Sequence, residues 1–248
     1  MESENQNDRL SQIPTQWTVL LQAQQQGSAS AASAAQQLMQ RYRRPIYRYL
    51  LACVHQLDVA DELFQEFALR FLRGDFKNAD PERGRFRNYL KIALHNLVAD
   101  HQRKRKRDSH QSLPLDESGP ASTPPSAAEG DLLTEWRNEL MQHAWDALAD
   151  WEWRKKQPLH TVLRFRAENP DLRATEFAER LGARMNTTLT AEWVYKKLHL
   201  AREKFAELLL EEVAQTLADP GTEALEEELL DLGLLEYCHA ALKRRGES

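Results

Sequence analysis

With 248 residues, the chain has room for one or two domains with real cores. Charged residues make up 29% and hydrophobic residues 42%, with nine glycines and ten prolines, a balance that reads as soluble and largely helical. No apolar run reaches the ~18 residues that a membrane span needs, and the opening MESENQNDRL lacks a basic-then-apolar signal pattern, so a cytoplasmic protein is expected.

Residues 1–11 are polar, and Thr15-Gln16-Trp17 opens a helix with Trp17, Leu20 and Leu21. The Ala/Ser-rich stretch Ser28–Ala35 is either a weak helix or a turn between two helices. From Gln36 to Val54 the spacing predicts a helix, with Leu38, Tyr42, Ile46, Tyr49, Leu50 and Cys53 on one side and Pro45 inside. Leu57-Asp58 begins the next helix, with Asp58 as its N-cap. Ala60, Leu63, Phe64, Phe67 and Phe71 form an apolar wall, while Glu62, Gln65 and Glu66 recur at i, i+3 and i+4 on the opposite side. Those acids are either a solvated face or a dock for a basic partner. Cys53 and Cys238, far apart among apolar neighbours, read as reduced buried thiols.

Asp80-Pro81 and Gly84 mark a turn into a helix whose stripe is Phe86, Leu90, Ala93, Leu97 and His101, widened by Tyr89, Leu94 and Val98. Arg85, Asn88, Lys91, His95 and Gln102 lie opposite. Between Glu82 and Arg107 there are nine Lys/Arg against two acids, a local +7 in a chain of net charge −5. A patch of that sign suits a polyanion. Phe86, Tyr89 and Tyr42 are either stacking faces for unpaired bases or ordinary core residues.

Ser109–Gly130, with Pro114, Pro120, Pro124 and Pro125 among Ser, Ala and Gly, reads as a flexible linker. The expected class is therefore all-α, two helical domains joined by a tether: residues 12–108, the linker 109–130, residues 131–218, and an acidic tail 219–248. Asp131 is read as the N-cap of a helix with Leu132, Leu133, Trp136, Leu140, Ala144, Leu148 and Trp151 on one face. Pro158 and Asn169-Pro170-Asp171 break the chain. A short helix follows over about Thr175–Leu181, with Gly182 as its C-cap. Thr190 then caps a long helix through Val194, Leu198, Ala201, Phe205 and Leu209. Two helices with a glycine between them, and Lys196, Lys197 and Arg202 on the second, make a helix-turn-helix. In the tail, Glu203–Glu236 holds eleven acids against one Lys. Leu225, Leu229, Leu232 and Leu235 predict an amphipathic helix there. Its leucines either cap the second domain or let the tail fold back on the basic stretch.

Read in order, Ala60-Asp61-Glu62-Leu63-Phe64-Gln65-Glu66-Phe67, then Phe86-x-x-Tyr89-Leu90, then Asn96-x-x-x-Asp100-x-x-Arg103 resemble region two of a bacterial RNA polymerase sigma factor of the extracytoplasmic-function (ECF) type. Ala178-x-x-Leu181-Gly182 and Val194-x-x-x-Leu198-His199-x-Ala201-Arg202 are similar to region four. The resemblance implies a promoter-specificity subunit with no active site and no cofactor or metal, cytoplasmic and monomeric when free. Its implied partners are core RNA polymerase, promoter DNA and, in some members, an anti-sigma protein. It assigns Glu62, Gln65 and Glu66 to the clamp coiled coil of the polymerase largest subunit. The loop to Arg85, with Arg83, and the following helix fall to the minus-ten DNA through Asn88, Tyr89, Lys91, Asn96 and Asp100, of which Asn96 and Asp100 are open to a structural role, while Arg103, Lys104 and Arg105 of the basic run are read as phosphate contacts to promoter DNA of any sequence. Glu192, Trp193, Lys196, Lys197 and Arg202 fall to the minus-thirty-five DNA, with Trp193 read more as a helix anchor than as a sugar contact. About six extra residues, ARMNTT, lengthen the helix-turn-helix turn relative to that family pattern.

A free-standing helix-turn-helix regulator is the competing reading, and the Glu62/Gln65/Glu66 face, which a simple repressor does not need, separates the two. An enzyme is disfavoured: the eight histidines lack ligand spacing, and no phosphate loop or nucleophile-base motif is present.

Overall fold

The computed structural model describes Val19 and residues 29–73, 85–111 and 125–246. The expected Thr15-Gln16-Trp17 helix start, the turn at residues 80–84 with Arg83, and residues 112–124 of the linker lie outside the described residues. All regular structure among the described residues is helical. The helices are α1 (Ala29–Val54), α2 (Leu57–Leu72), α3 (Phe86–Gln111), α4 (Pro125–Lys155), α5 (Leu159–Glu168), α6 (Ala174–Met185), α7 (Ala191–Ala214), α8 (Thr222–Asp231) and α9 (Leu235–Gly246).

The chain divides into two compact units, residues 1–139 with 214–220 and residues 140–213 with 221–248. In the first unit, α1 starts at Ala29, so the Ala/Ser stretch resolves as helix, as its high alanine content favours. Leu38, Tyr42, Ile46, Tyr49, Leu50 and Cys53 are buried along α1 and meet the buried Ala60, Leu63, Phe67 and Phe71 of α2 and Phe86, Leu90, Leu94, Leu97 and Val98 of α3. Asp58 is not the N-cap of α2. Gln56 holds that position without a side-chain bond, and Asp58 sits inside the first turn, where its charge still favours the helix dipole.

Asp131 is likewise not a cap, because α4 already begins at Pro125, a residue suited to a first turn where no N–H is needed. This early start gives Leu132 and Trp136 to the first unit. Trp136 is 1% exposed and stacks on Tyr42 with centroids 4.5 Å apart and planes within 8°, and Phe86 lies 5.3 Å from Tyr42 and 6.1 Å from Trp136. Each ring in such a cluster removes ~150–250 Å² from water, an upper limit of about 4–6 kcal/mol apiece. The division of contacts falls at Glu139/Leu140.

In the second unit, Val162 and Phe165 of α5, Phe177, Ala178 and Leu181 of α6, and Val194 and Leu198 of α7 form one buried cluster, with Leu172, Met185, Leu189 and Trp193 packed on its edge. The breaks around this cluster are closed by side chains. Glu152 accepts both the Thr161 N–H (2.8 Å) and the Thr161 hydroxyl, which satisfies donors in the first turn of α5. Arg166 donates to the carbonyls of Asn169, Pro170 and Leu172 and lies 4.4 Å from the Phe177 ring centre, which fixes the turn into α6.

The tail is two helices, not one. Gly233 takes the left-handed conformation (φ 65°), and the Leu234 N–H closes onto the Leu229 carbonyl (2.8 Å), a Schellman stop that an unbroken leucine period had concealed. Leu225, Leu229, Leu232, Leu234, Cys238, Ala241 and Leu242 are buried, and Cys238 Sγ lies 3.9 Å from the Ala206 carbonyl of α7. Arg244 of α9 pairs with Glu203 and Glu207 of α7. The apolar side of the tail is thus used within its own unit.

Candidate nucleic-acid interface

On α2, the two expected faces separate as the periodicity requires. Ala60, Leu63, Phe67 and Phe71 face inward, Glu62 and Gln65 are exposed, and Glu66 and Phe64 are half-buried at the margin. Glu66 is also held by Arg70, which reaches Asp100 of α3 (3.4 Å), and Asp100 in turn takes Arg103 (3.1 Å). This acid-base chain ties α2 to α3. It gives Asp100 a structural role and leaves Glu62 and Gln65 as the open part of the face.

The outward side of α3 presents Asn88, Ile92, His95, Asn96 and Arg103, all exposed and spaced at three to four residues. Ile92, 60% exposed, escaped the sequence reading because the stripe 86, 90, 94 and 97 drew attention to the other side. Its phase with Asn88 and His95 was the available signal. Arg85 and Lys91 are half-buried, and Lys104 and Arg105 are exposed. Tyr42 and Phe86 are interior rings and cannot stack on bases. Tyr89 is half-buried, its ring 6.4 Å from Phe86, and burial holds its hydroxyl well above the ordinary tyrosine range. At neutral pH it is a neutral hydrogen-bond group on the edge of the core.

In the second unit, α6 and α7 are the two helices expected to make the helix-turn-helix, and both enter the same buried cluster. Gly182 is not the C-cap of α6. That helix runs on to Met185, and Asn186 ends it in the left-handed conformation (φ 55°). The Thr187 N–H meets the Gly182 carbonyl (2.9 Å) and the Asn186 N–H meets that of Ala183 (3.3 Å), the two bonds of a Schellman motif. The residues ARMNTT thus form an extra helical turn followed by a reversal. Gly182 is required for another reason: a Cβ there would lie 2.6 Å from the Thr187 carbonyl oxygen. Thr190 caps α7 as expected, its hydroxyl accepting the Trp193 N–H (3.1 Å).

The exposed side of α7 carries Glu192, Tyr195, Lys196, His199 and Arg202. Lys196 pairs with Glu192 (2.7 Å), so that cation is partly neutralised in the free chain. Trp193 is half-buried against the core cluster, and Lys197 is half-buried. Tyr195, 66% exposed, holds the outward position between Glu192 and His199 that sequence reasoning had passed over in favour of its larger neighbour. Its offset of three from Glu192 and four from His199 was the missed signal.

Residues 38–108 match the family model of sigma-70 region 2. The matched segment spans α1 from Leu38, all of α2 and most of α3, and it supports a sigma factor function in promoter recognition with RNA polymerase. No curated protein and no solved structure matches the chain. Among the described residues, no helix is long and apolar enough to cross a membrane.

Proposed function

We propose that the chain is a sigma factor of the ECF type, which binds core RNA polymerase and directs it to promoters by reading minus-ten and minus-thirty-five elements. The observation that supports this most is the coincidence of the region-two match with a helical unit whose α2 shows an exposed Glu62/Gln65 face and whose α3 ends in a basic run. On this reading Glu62, Gln65 and Glu66 dock on the clamp coiled coil of the largest subunit. Asn88, Tyr89, Lys91 and Asn96, with Arg83 and Arg85, address the unpaired minus-ten strand, and Arg103, Lys104 and Arg105 hold its phosphates. Phosphate contacts position the complex, whereas base contacts choose the sequence. The helix-turn-helix of the second unit takes the minus-thirty-five duplex with the outward residues of α7 in the major groove.

The test places lysines on the open part of the docking face. Glu62→Lys with Gln65→Lys leaves the Glu66–Arg70–Asp100 chain in place, so the fold, read by circular dichroism, should be unchanged. Glu62→Lys reverses one interfacial charge and Gln65→Lys adds a repelling cation at a neutral position; at about 1.5 kcal/mol each, affinity for core polymerase should fall by about a hundredfold. Wild-type affinity in the variant would sink the docking assignment.

A further inference from the structure

Where α4 ends, the chain presents Trp153, Arg154, Lys155 and Lys156 in succession. Trp153 is 72% exposed, and the three cations beside it are exposed. Several other cations of this unit are paired, Lys196 with Glu192, Arg180 with Glu176, Arg164 with Glu168 and Lys204 with Glu207, while Arg173, Lys197 and Arg202 are spread along the chain and not in a run. Arg154, Lys155 and Lys156 have no acidic partner among the described residues. Glu152, on the same turn, has both carboxylate oxygens committed to Thr161, and Arg154 Nε finds the backbone carbonyl of Asp150 (3.3 Å).

Lys156 adds an independent sign. It sits in the left-handed conformation (φ 55°), its N–H closing onto the Glu152 carbonyl (2.8 Å), the helix-ending position that glycine fills without strain. Its ammonium is held 4.8 Å from the Trp153 ring centre. The helix dipole accounts for basic residues in a last turn. It does not account for a lysine on the strained residue or for an indole left in solvent.

We infer that this corner is a docking point for the phosphate backbone of duplex DNA beside the sequence that α7 reads, a contact that rests on the proposed DNA-binding role of the second unit. The three cations meet successive phosphates, the indole N–H donates to a phosphate oxygen, and the ring holds the Lys156 ammonium in place. Residues Arg154 to Gln157 are all polar and exposed, and three of them in a row are cations, a linear charge that suits the regular phosphate spacing of a duplex. A sugar-phosphate rail is the better occupant than an acidic protein groove.

The test uses the full chain and a random-sequence duplex of about 30 base pairs, with affinity measured between roughly 50 and 200 mM salt. Replacing Arg154, Lys155 and Lys156 together by Gln should weaken binding to all duplexes and flatten the log–log salt slope by about 2–3, since each lost phosphate contact removes ~0.9. Lys156→Gly should lower the slope by ~0.9 yet raise Tm by about 2 °C, because glycine relieves the left-handed strain. A Lys156→Gly protein that melts earlier and keeps its slope makes Lys156 structural and overturns the inference. So does wild-type binding with an unchanged slope in the triple variant, or loss of poly-L-glutamate binding in its place. If the wild-type chain shows no salt-dependent duplex binding at all, the DNA-binding role of the second unit fails, and this corner with it.

Discussion

Gly182→Ala sets two known effects against each other. Gly182 lies inside α6, and helix propensity alone favours alanine there by ~1 kcal/mol. Against this, the new Cβ would stand 2.6 Å from the Thr187 carbonyl oxygen, where ordinary contacts begin at 3.4 Å. The obstacle is backbone, and it is held by the Thr187 N–H bond to the Gly182 carbonyl (2.9 Å) and by Leu189 behind it. Moving it costs an overpacking strain of ~1–3 kcal/mol and weakens a hydrogen bond worth ~1 kcal/mol. The balance is a net loss of about 1–3 kcal/mol. For a unit of this size that is a fall in Tm of at least about 4 °C, read by circular dichroism during heating. Because the displaced residues form the turn between α6 and α7, duplex binding should weaken too. A variant that melts higher than the parent would show that propensity wins and that the Schellman turn does not constrain Gly182.

Trp193→Ala should cost about 2–3 kcal/mol in stability, since its ring packs on the core cluster, while Tyr195→Ala should stay within ~0.5 kcal/mol and change which promoters are used in a library selection. Burial raises the Glu211 carboxyl above its ordinary 4.5, with Glu207 and Glu212 adding to the rise and Lys204 and Arg245 opposing it. A raised folded-state pKa means stability that is present below the unfolded pKa and is lost as pH rises through the folded one. Glu211→Gln should therefore melt higher than the parent at pH 7, with the difference closing toward pH 4 in paired melts. Burial also pushes the Cys238 thiol up to about 12 and raises that of Cys53, so neither should react with iodoacetamide at pH 8 until denaturant is added.

The sequence was most legible where one physical effect dominates. Thr190 precedes a clean apolar period and caps α7 by its hydroxyl, and the α2 faces separate, with Phe64 and Glu66 at the margin, because the buried Leu63, Phe67 and Phe71 leave one way to turn the helix. Fold class followed from the same periodicities. It was least legible where two effects share a residue type. Asp58 and Asp131 look like caps, but an aspartate serves equally in a first turn or on an exposed helix face, and only the backbone distinguishes these. Gly182 looks like a helix stop, but its need is for space, and the stop is Asn186. Trp136 was rightly placed on an apolar face, but periodicity gives no partner, and its stacking on Tyr42 could not be read from the sequence. In the candidate site, charge was readable, and the pairs of Glu66 with Arg70, Arg103 with Asp100 and Lys196 with Glu192 lay at helical spacings of three or four that could have been read too. The Arg70–Asp100 bridge between two helices could not, because periodicity within one helix says nothing of its neighbour.

Reconstituted transcription tests the central claim most directly. Core RNA polymerase mixed with the full chain, then given a library of genomic promoter fragments, should form a stoichiometric complex and start transcripts at defined sites that core polymerase alone does not use. The Glu62→Lys/Gln65→Lys chain should lose both complex and transcripts. A chain that binds DNA fragments by itself, forms no complex with core polymerase and leaves start sites unchanged would contradict the account and identify a free-standing helix-turn-helix regulator.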